Sequence, residues 1–225
     1  MNFTFGNNIN WALSVILPYQ SPDIYSDVNV INYYITHRYQ EGRSALFNKL
    51  RGAVFISATQ MVVSDMENRC LRLVDLSTTP TTSTFAGRCP DIGDMGGNRL
   101  TDARFDSPRS LEFDSTNQNL YLVDYIIKKL KVVRLLSDLV ETIVTWSEKA
   151  RDLQLHDADT LYFTYGQGIK SKDLNTLAET EILGSVDSSG TALGSFSATR
   201  LYKPCQLTSP QANGIWFIAD NKNNR

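Results

Sequence analysis

The sequence predicts an all-β chain built as a β-propeller of repeated four-stranded units. Three observations carry this. Short strand signals dominate the 225 residues. One sequence pattern recurs along the chain. Each unit taken alone would leave both faces of its sheet wet, so neighbours must stack, and radial stacking of four-stranded sheets is a propeller.

The strands come first. LEF (111–113), NLYLVD (119–124), TLYFTY (160–165) and GIWFIAD (214–220) are short, rich in β-branched or aromatic residues, and bounded by turn residues. The stretch 128–144 suits a helix or two strands, and the interruption around Asp138 selects a hairpin. The repeat comes next. Residues 45–65 align with 103–124 through one gap, pairing Ala45 with Ala103, Phe47 with Phe105 and Asp65 with Asp124. Residues 198–220 follow the same order. Pro108 and Pro204 each stand 16 residues before their Asp. A weaker copy spans 150–165, where Tyr165 takes the place of Asp. The steps from Asp65 to Asp124, Tyr165 and Asp220 are 59, 41 and 55 residues. One four-stranded unit per repeat fits these steps, with long insertions in two of them.

At ARFDSP, LYLVD, DMENRCLRLV and DNKN the chain resembles the NHL-repeat propellers of the extracellular animal type. The resemblance covers about residues 45–225. It is poorest in the third unit, where GQGIKSKDLN (166–175) has neither Asp nor Asn at the repeat positions. The expected units are 1–44 (partial), 45–102, 103–149, 150–197 and 198–225 (partial), with 28–39 as an outer strand of the first. At about 40 residues per unit the chain is expected to be a partial ring. Missing blades or a second copy would then cover its open edges. The alternative is a closed four-bladed ring completed by residues 1–40.

The repeated Asp65, Asp124 and Asp220 end strands and open tight turns. A carboxylate there can accept bonds from turn N–H groups two or three residues on, and Asn68 or Asn223 tolerates a left-handed backbone. These five are assigned structural turn roles. Metal binding by the same carboxylates would need oxygen ligands converging from several units.

Cys70 and Cys89 lie 9.5 positions either side of the Thr79–Pro80 bond. A hairpin of 69–76 with 82–89 about that turn sets the two side chains opposite each other, at disulfide spacing. The cysteines of NRC and AGRC also match a pattern of extracellular animal NHL proteins, so the resemblance supports the bridge. Two free thiols in a cytosolic protein are the alternative. Cys205 has no obvious partner. Asn2-Phe3-Thr4 is a glycosylation sequon that counts only if the chain is secreted.

The net charge of −2, from 22 basic and 24 acidic residues, makes nucleic acid an unpromising partner. The apolar run 11–18 is too short to span a membrane and lacks the basic start of a signal peptide. Only His37 and His156 are present, and no nucleophile elbow, zinc helix, P-loop or dinucleotide fingerprint occurs. No catalytic residue and no cofactor is assigned. Asp91, Asp94, Asp102 and Asp106 read as a solvated loop, with a weak calcium alternative. The densest basic stretches are 128–131 and 170–172; Lys128, Lys129 and Lys131 are expected to point outward. Trp146 and Trp216 read as core.

The resemblance implies a non-catalytic interaction module, extracellular or at the cell surface, binding protein or glycan through loops on one face. Connections 88–102 and 184–199 are the expected contact loops. The alternatives are a metal-dependent lyase or hydrolase of propeller type, and a cytoplasmic RNA-binding propeller.

Overall fold

The computed structural model describes residues 47–77, 81–185, 187–208 and 215–225. Asn2, Ala45, the strand expected at 28–39 and the Thr79–Pro80 turn lie outside these residues.

Fifteen strands form four antiparallel sheets. The first contains β1 (Leu50–Phe55), β2 (Gln60–Asp65), β3 (Cys70–Asp75) and β4 (Thr81–Ala86), in sequence order. The second contains β6 (Pro108–Asp114), β7 (Asn119–Asp124), β8 (Lys129–Arg134) and β9 (Leu139–Thr145), with the short β5 (Gly97–Asn98) added beside β9. The third contains β10 (Leu153–Leu155), β11 (Thr160–Tyr165), β12 (Gly168–Asp173) and β13 (Glu179–Gly184). The fourth sheet has two described strands, β14 (Pro204–Thr208) and β15 (Phe217–Asp220). The stretch 128–144 is the expected hairpin, turned by Asp138 in the left-handed region at φ 55°.

The sheets stack as blades. Strand β1 packs on β6, β6 on β10, and β10 on β14, so the first strand of each blade faces the interior of the ring. Strand β7 shows why stacking is required. All six of its residues are buried. Leu120 and Leu122 join Val62, Leu71 and Phe105 in the seam with the first blade. Tyr121 and Val123 join Leu153, Leu161 and Phe163 in the seam with the third. The two faces of one strand therefore serve two cores, as period-two alternation dictates. Trp146 lies in that second seam, stacked on Phe163 at 4.8 Å between ring centroids. Trp216 is partly buried in the seam between the third and fourth blades, beside Leu207 and Tyr162.

Cys70 and Cys89 form a disulfide with 5.4 Å between their Cα atoms. The route to it differs from the symmetric hairpin. Asp75 pairs with Thr81, and a bulge sets Leu71 opposite Ala86, which leaves Cys89 beyond the end of β4. Gly87, at φ 86°, turns the chain so that Cys89 comes back to Cys70.

One further expectation is corrected. Lys131 is 1% exposed, not outward. Both faces of β8 are covered by neighbouring blades, and Lys131 reaches Asp94 at 2.9 Å and the carbonyl of Arg104 at 3.1 Å. The connection 88–102 is not a free loop. Gly97 and Asn98 pair with Val140 and Leu139, and Ile92 and Met95 bridge to Phe105 and Arg104. Of the four aspartates in and just after it, three meet cations: Asp91 lies near Arg88 and Arg104, Asp94 pairs with Lys129 and Lys131, and Asp106 pairs with Arg69. Asp102 accepts the N–H of Asn98.

Candidate functional site at the mouth of the ring

The repeated aspartates tie each second strand to the chain leading into the first strand of the same blade. Asp65 accepts the N–H of Asn48 at 2.7 Å, Asp124 that of Ser107 at 2.7 Å, and Asp220 that of Tyr202 at 2.7 Å. The asparagines donate their side-chain amides to the same carboxylates, Asn68 to Asp65 at 2.9 Å and Asn223 to Asp220 at 2.7 Å. The left-handed residue of each turn is therefore the next one along: Arg69, Lys128 and Asn224, at φ 60°, 57° and 53°. Burial pushes the Asp65 and Asp124 carboxyls up from the ordinary aspartate value, against the pull of these donors.

Because these turns hold the starts of the inner strands, they also position the side chains just downstream. Leu50, Pro108 and Pro204 sit opposite the three aspartates. The next residues are Arg51, Arg109 and Cys205. All three line one cavity of about 570 Å³, together with Arg151 and Asp152 from the start of the third blade. A second cavity of about 250 Å³ shares Arg51 and Arg109 and adds Tyr125. The two spaces meet at these arginines, on the side of the ring where the Asp turns lie.

Neighbouring backbones hold the arginines in place. Gly52 lies so close to the second blade that a Cβ would stand 2.1 Å from the Arg109 carbonyl oxygen. Ser64 Oγ accepts the Gly52 N–H at 2.6 Å and donates to the Arg109 carbonyl at 2.6 Å. Asp152 does the corresponding work across three blades. Its carboxylate accepts from Ser110 Oγ at 2.7 Å and from the Leu207 N–H at 2.8 Å. Burial pushes its pKa up to about 7 despite those donors and the nearby Arg109. Glu112, on β6, keeps a partly exposed edge. Even so, dense surroundings first, and then the charge of Asp152, push its pKa up to about 8.

The site is positively charged. Among the described residues no carboxylate lies at ion-pair distance from Arg51, Arg109 or Arg151, whereas Arg69 and Arg225 are paired with Asp106 and Asp220. The Arg109 head lies 4.2 Å from the centre of the Tyr125 ring, which also carries Lys149 at 4.8 Å. Burial, followed by the like charge of Arg51, lowers the Arg109 pKa from its ordinary value. Arg51 Nε is enclosed without a hydrogen-bond partner among the described residues.

A larger groove of about 680 Å³ lies between the second and third blades, at the opposite turns. Its polar side chains largely satisfy one another: Arg134 pairs with Glu141, Asn117 with Asp114, and Asn175 with Asp159. The arginine cavity differs in that no described carboxylate pairs with its three guanidinium groups. His156 is exposed and sits edge-on to Tyr162. Among the described residues no three His, Cys, Asp or Glu side chains converge as a metal site. No described helix is long and apolar enough to cross a membrane.

The three arginines escaped the sequence reading, which weighed basic residues by local density. The usable signal was their repeat position. Arg51 and Arg109 occupy the same column of the aligned units, directly after the inner-strand start.

No family model matches the chain, and no curated protein matches it. Solved structures do. An auxiliary nutrient binding protein from Bacteroides thetaiotaomicron superposes with a TM-score of 0.58 at 13% identity, over 79% of this chain and 44% of that one. The fold is a β-propeller. A nidogen/laminin complex gives 0.48 at 12% identity, over 64% of this chain and 50% of that chain. A protein of unknown function from Bacteroides thetaiotaomicron gives 0.47 at 16% identity, over 66% and 35%. The propeller spans from about a third to half the length of these chains.

Proposed function

We propose that the chain is a non-catalytic NHL-type propeller that binds a partner, protein or glycan, at the face carrying the Asp turns and the arginine cavity. One observation carries this reading: three arginines that no carboxylate among the described residues pairs with line a single cavity where blades meet. Desolvated guanidinium groups are costly unless something pairs with them, and Arg is the residue enriched at binding hot spots. Asp152, the carboxylate closest to a catalytic position, is held by Ser110 and Leu207 as a joint between blades. The auxiliary nutrient binding protein is described as a binding protein, which agrees with a binding role for the scaffold. The Cys70–Cys89 bridge supports an extracellular or cell-surface setting.

The test is an array of extracellular protein domains and glycans, probed with the oxidised chain. Binding that disappears in an Arg109→Ala/Arg151→Ala variant of unchanged circular dichroism supports the reading. Hits that survive in that variant place recognition elsewhere. Lyase or lactonase turnover that is lost on chelation overturns it in favour of an enzyme.

A further inference from the structure

Resting on that reading, we infer that Arg51, Arg109 and Arg151 together bind one compact oxyanion, a phosphoryl or carboxylate group of the ligand. The three residues come from three successive blades but line the same cavity. Arg109 is close enough to the other two for their charges to bear on it. Such convergence suits a single multiply charged group. A polymer with charges spread along its length would instead need an open track.

The surroundings agree in two ways. Arg225 and Arg69, on the rim, are paired with Asp220 and Asp106, in contrast to the three arginines of the cavity. Asp152, the carboxylate lining the same space, has its oxygens taken up by Ser110 and Leu207. The second cavity lets the group arrive beside Tyr125, whose ring already steadies Arg109. In the fourth blade the arginine position is filled by Cys205, leaving space on that side for the rest of the ligand.

Calorimetric titration of the whole oxidised chain with inorganic phosphate, and separately with succinate, tests this at low and at physiological salt. Saturable uptake of about one anion per chain is expected, weakening at higher salt. A preference between the probes identifies the phosphoryl or the carboxylate source, and either preference supports the site. Arg109→Ala should weaken binding at least tenfold, and Arg109→Lys by less, because charge remains while the planar fork is lost. The gain variant Cys205→Arg adds a fourth guanidinium at the same repeat position and should tighten binding severalfold. Absence of saturable uptake by both probes overturns the inference, as does uptake indifferent to all three variants. If neither anion binds while partner binding still depends on Arg109 and Arg151, the oxyanion assignment fails alone. If anions bind but partner binding ignores the arginines, the assignment stands and the proposed binding face fails.

Discussion

The third blade and its neighbours solve one problem with different chemistry. In the first and second blades the turn after the second strand has four residues, from Asp65 to Cys70 and from Asp124 to Lys129, and a buried carboxylate anchors it. In the third, Tyr165 pairs with Gly168 through two residues, with Gly166 at φ 57°. Neutral hydroxyls replace the carboxylate. Thr164 Oγ1 accepts from the N–H groups of Arg151 at 2.9 Å and Asp152 at 3.0 Å, and the Tyr165 hydroxyl accepts from Glu148 N–H at 3.2 Å. The constraint on the fold is thus an acceptor facing the chain that leads into the inner strand. Its charge is optional.

Breaking this comparison should produce effects of graded size. Asp124→Ala strips backbone donors of their acceptor and leaves the buried Lys131 with less compensation. It should cost about 4 kcal/mol, read as a fall in Tm of roughly 10 °C. Gly52→Ala forces the first blade away from the second and should cost about 3 kcal/mol, with anion binding lost alongside because Arg109 shifts. Replacing both Cys70 and Cys89 by Ala should also cost about 3 kcal/mol, from the entropy of the opened loop. Thr164→Val, the third-blade counterpart of the Asp124 change, removes a neutral acceptor and should cost about 1–2 kcal/mol. If it matches Asp124→Ala, the claim that the charged turns carry more stability is wrong.

The last test is a pH dependence. Glu112 retains its proton in the fold up to about pH 8, whereas the unfolded chain releases it near the ordinary glutamate value of 4.5. Stability should therefore fall as pH rises between those values. Glu112→Gln should match the parent near pH 4 and be the more stable of the two near pH 8.5. Parallel denaturation curves for parent and variant across that range would contradict the assignment.

The parts legible in the sequence are those set by local rules. Alternation and turn residues marked β6, β7, β8 and β9, and the repeated Pro-to-Asp interval marked two inner-strand starts. The cysteine spacing pointed to the right pair although the bulge at Leu71–Arg72 shifted the register that had suggested it. Other parts depend on ring geometry. Lys131 looked solvent-facing because a charged residue on a strand normally is, yet a blade between two blades has no wet face. Arg51, Arg109 and Arg151 are separated by 58 and 42 residues, so only the stacking of blades brings them to one cavity. Asn68 and Asn223 were placed correctly in their turns, but left-handed tolerance was the wrong property to weigh, since the side-chain amides bind the aspartates.

The two-residue strand β5 also bears on how the chain is made. Its partner β9 begins at Leu139, some forty residues further on, so the linker leaves the ribosome before the strand it pairs with exists. At about 5–20 residues per second the segment waits roughly 2–8 seconds. The first blade can close on itself in that interval, but its exit stays loose. Completion of the second blade is what seals it, so assembly is timed by the following unit and proceeds from the amino-terminal side.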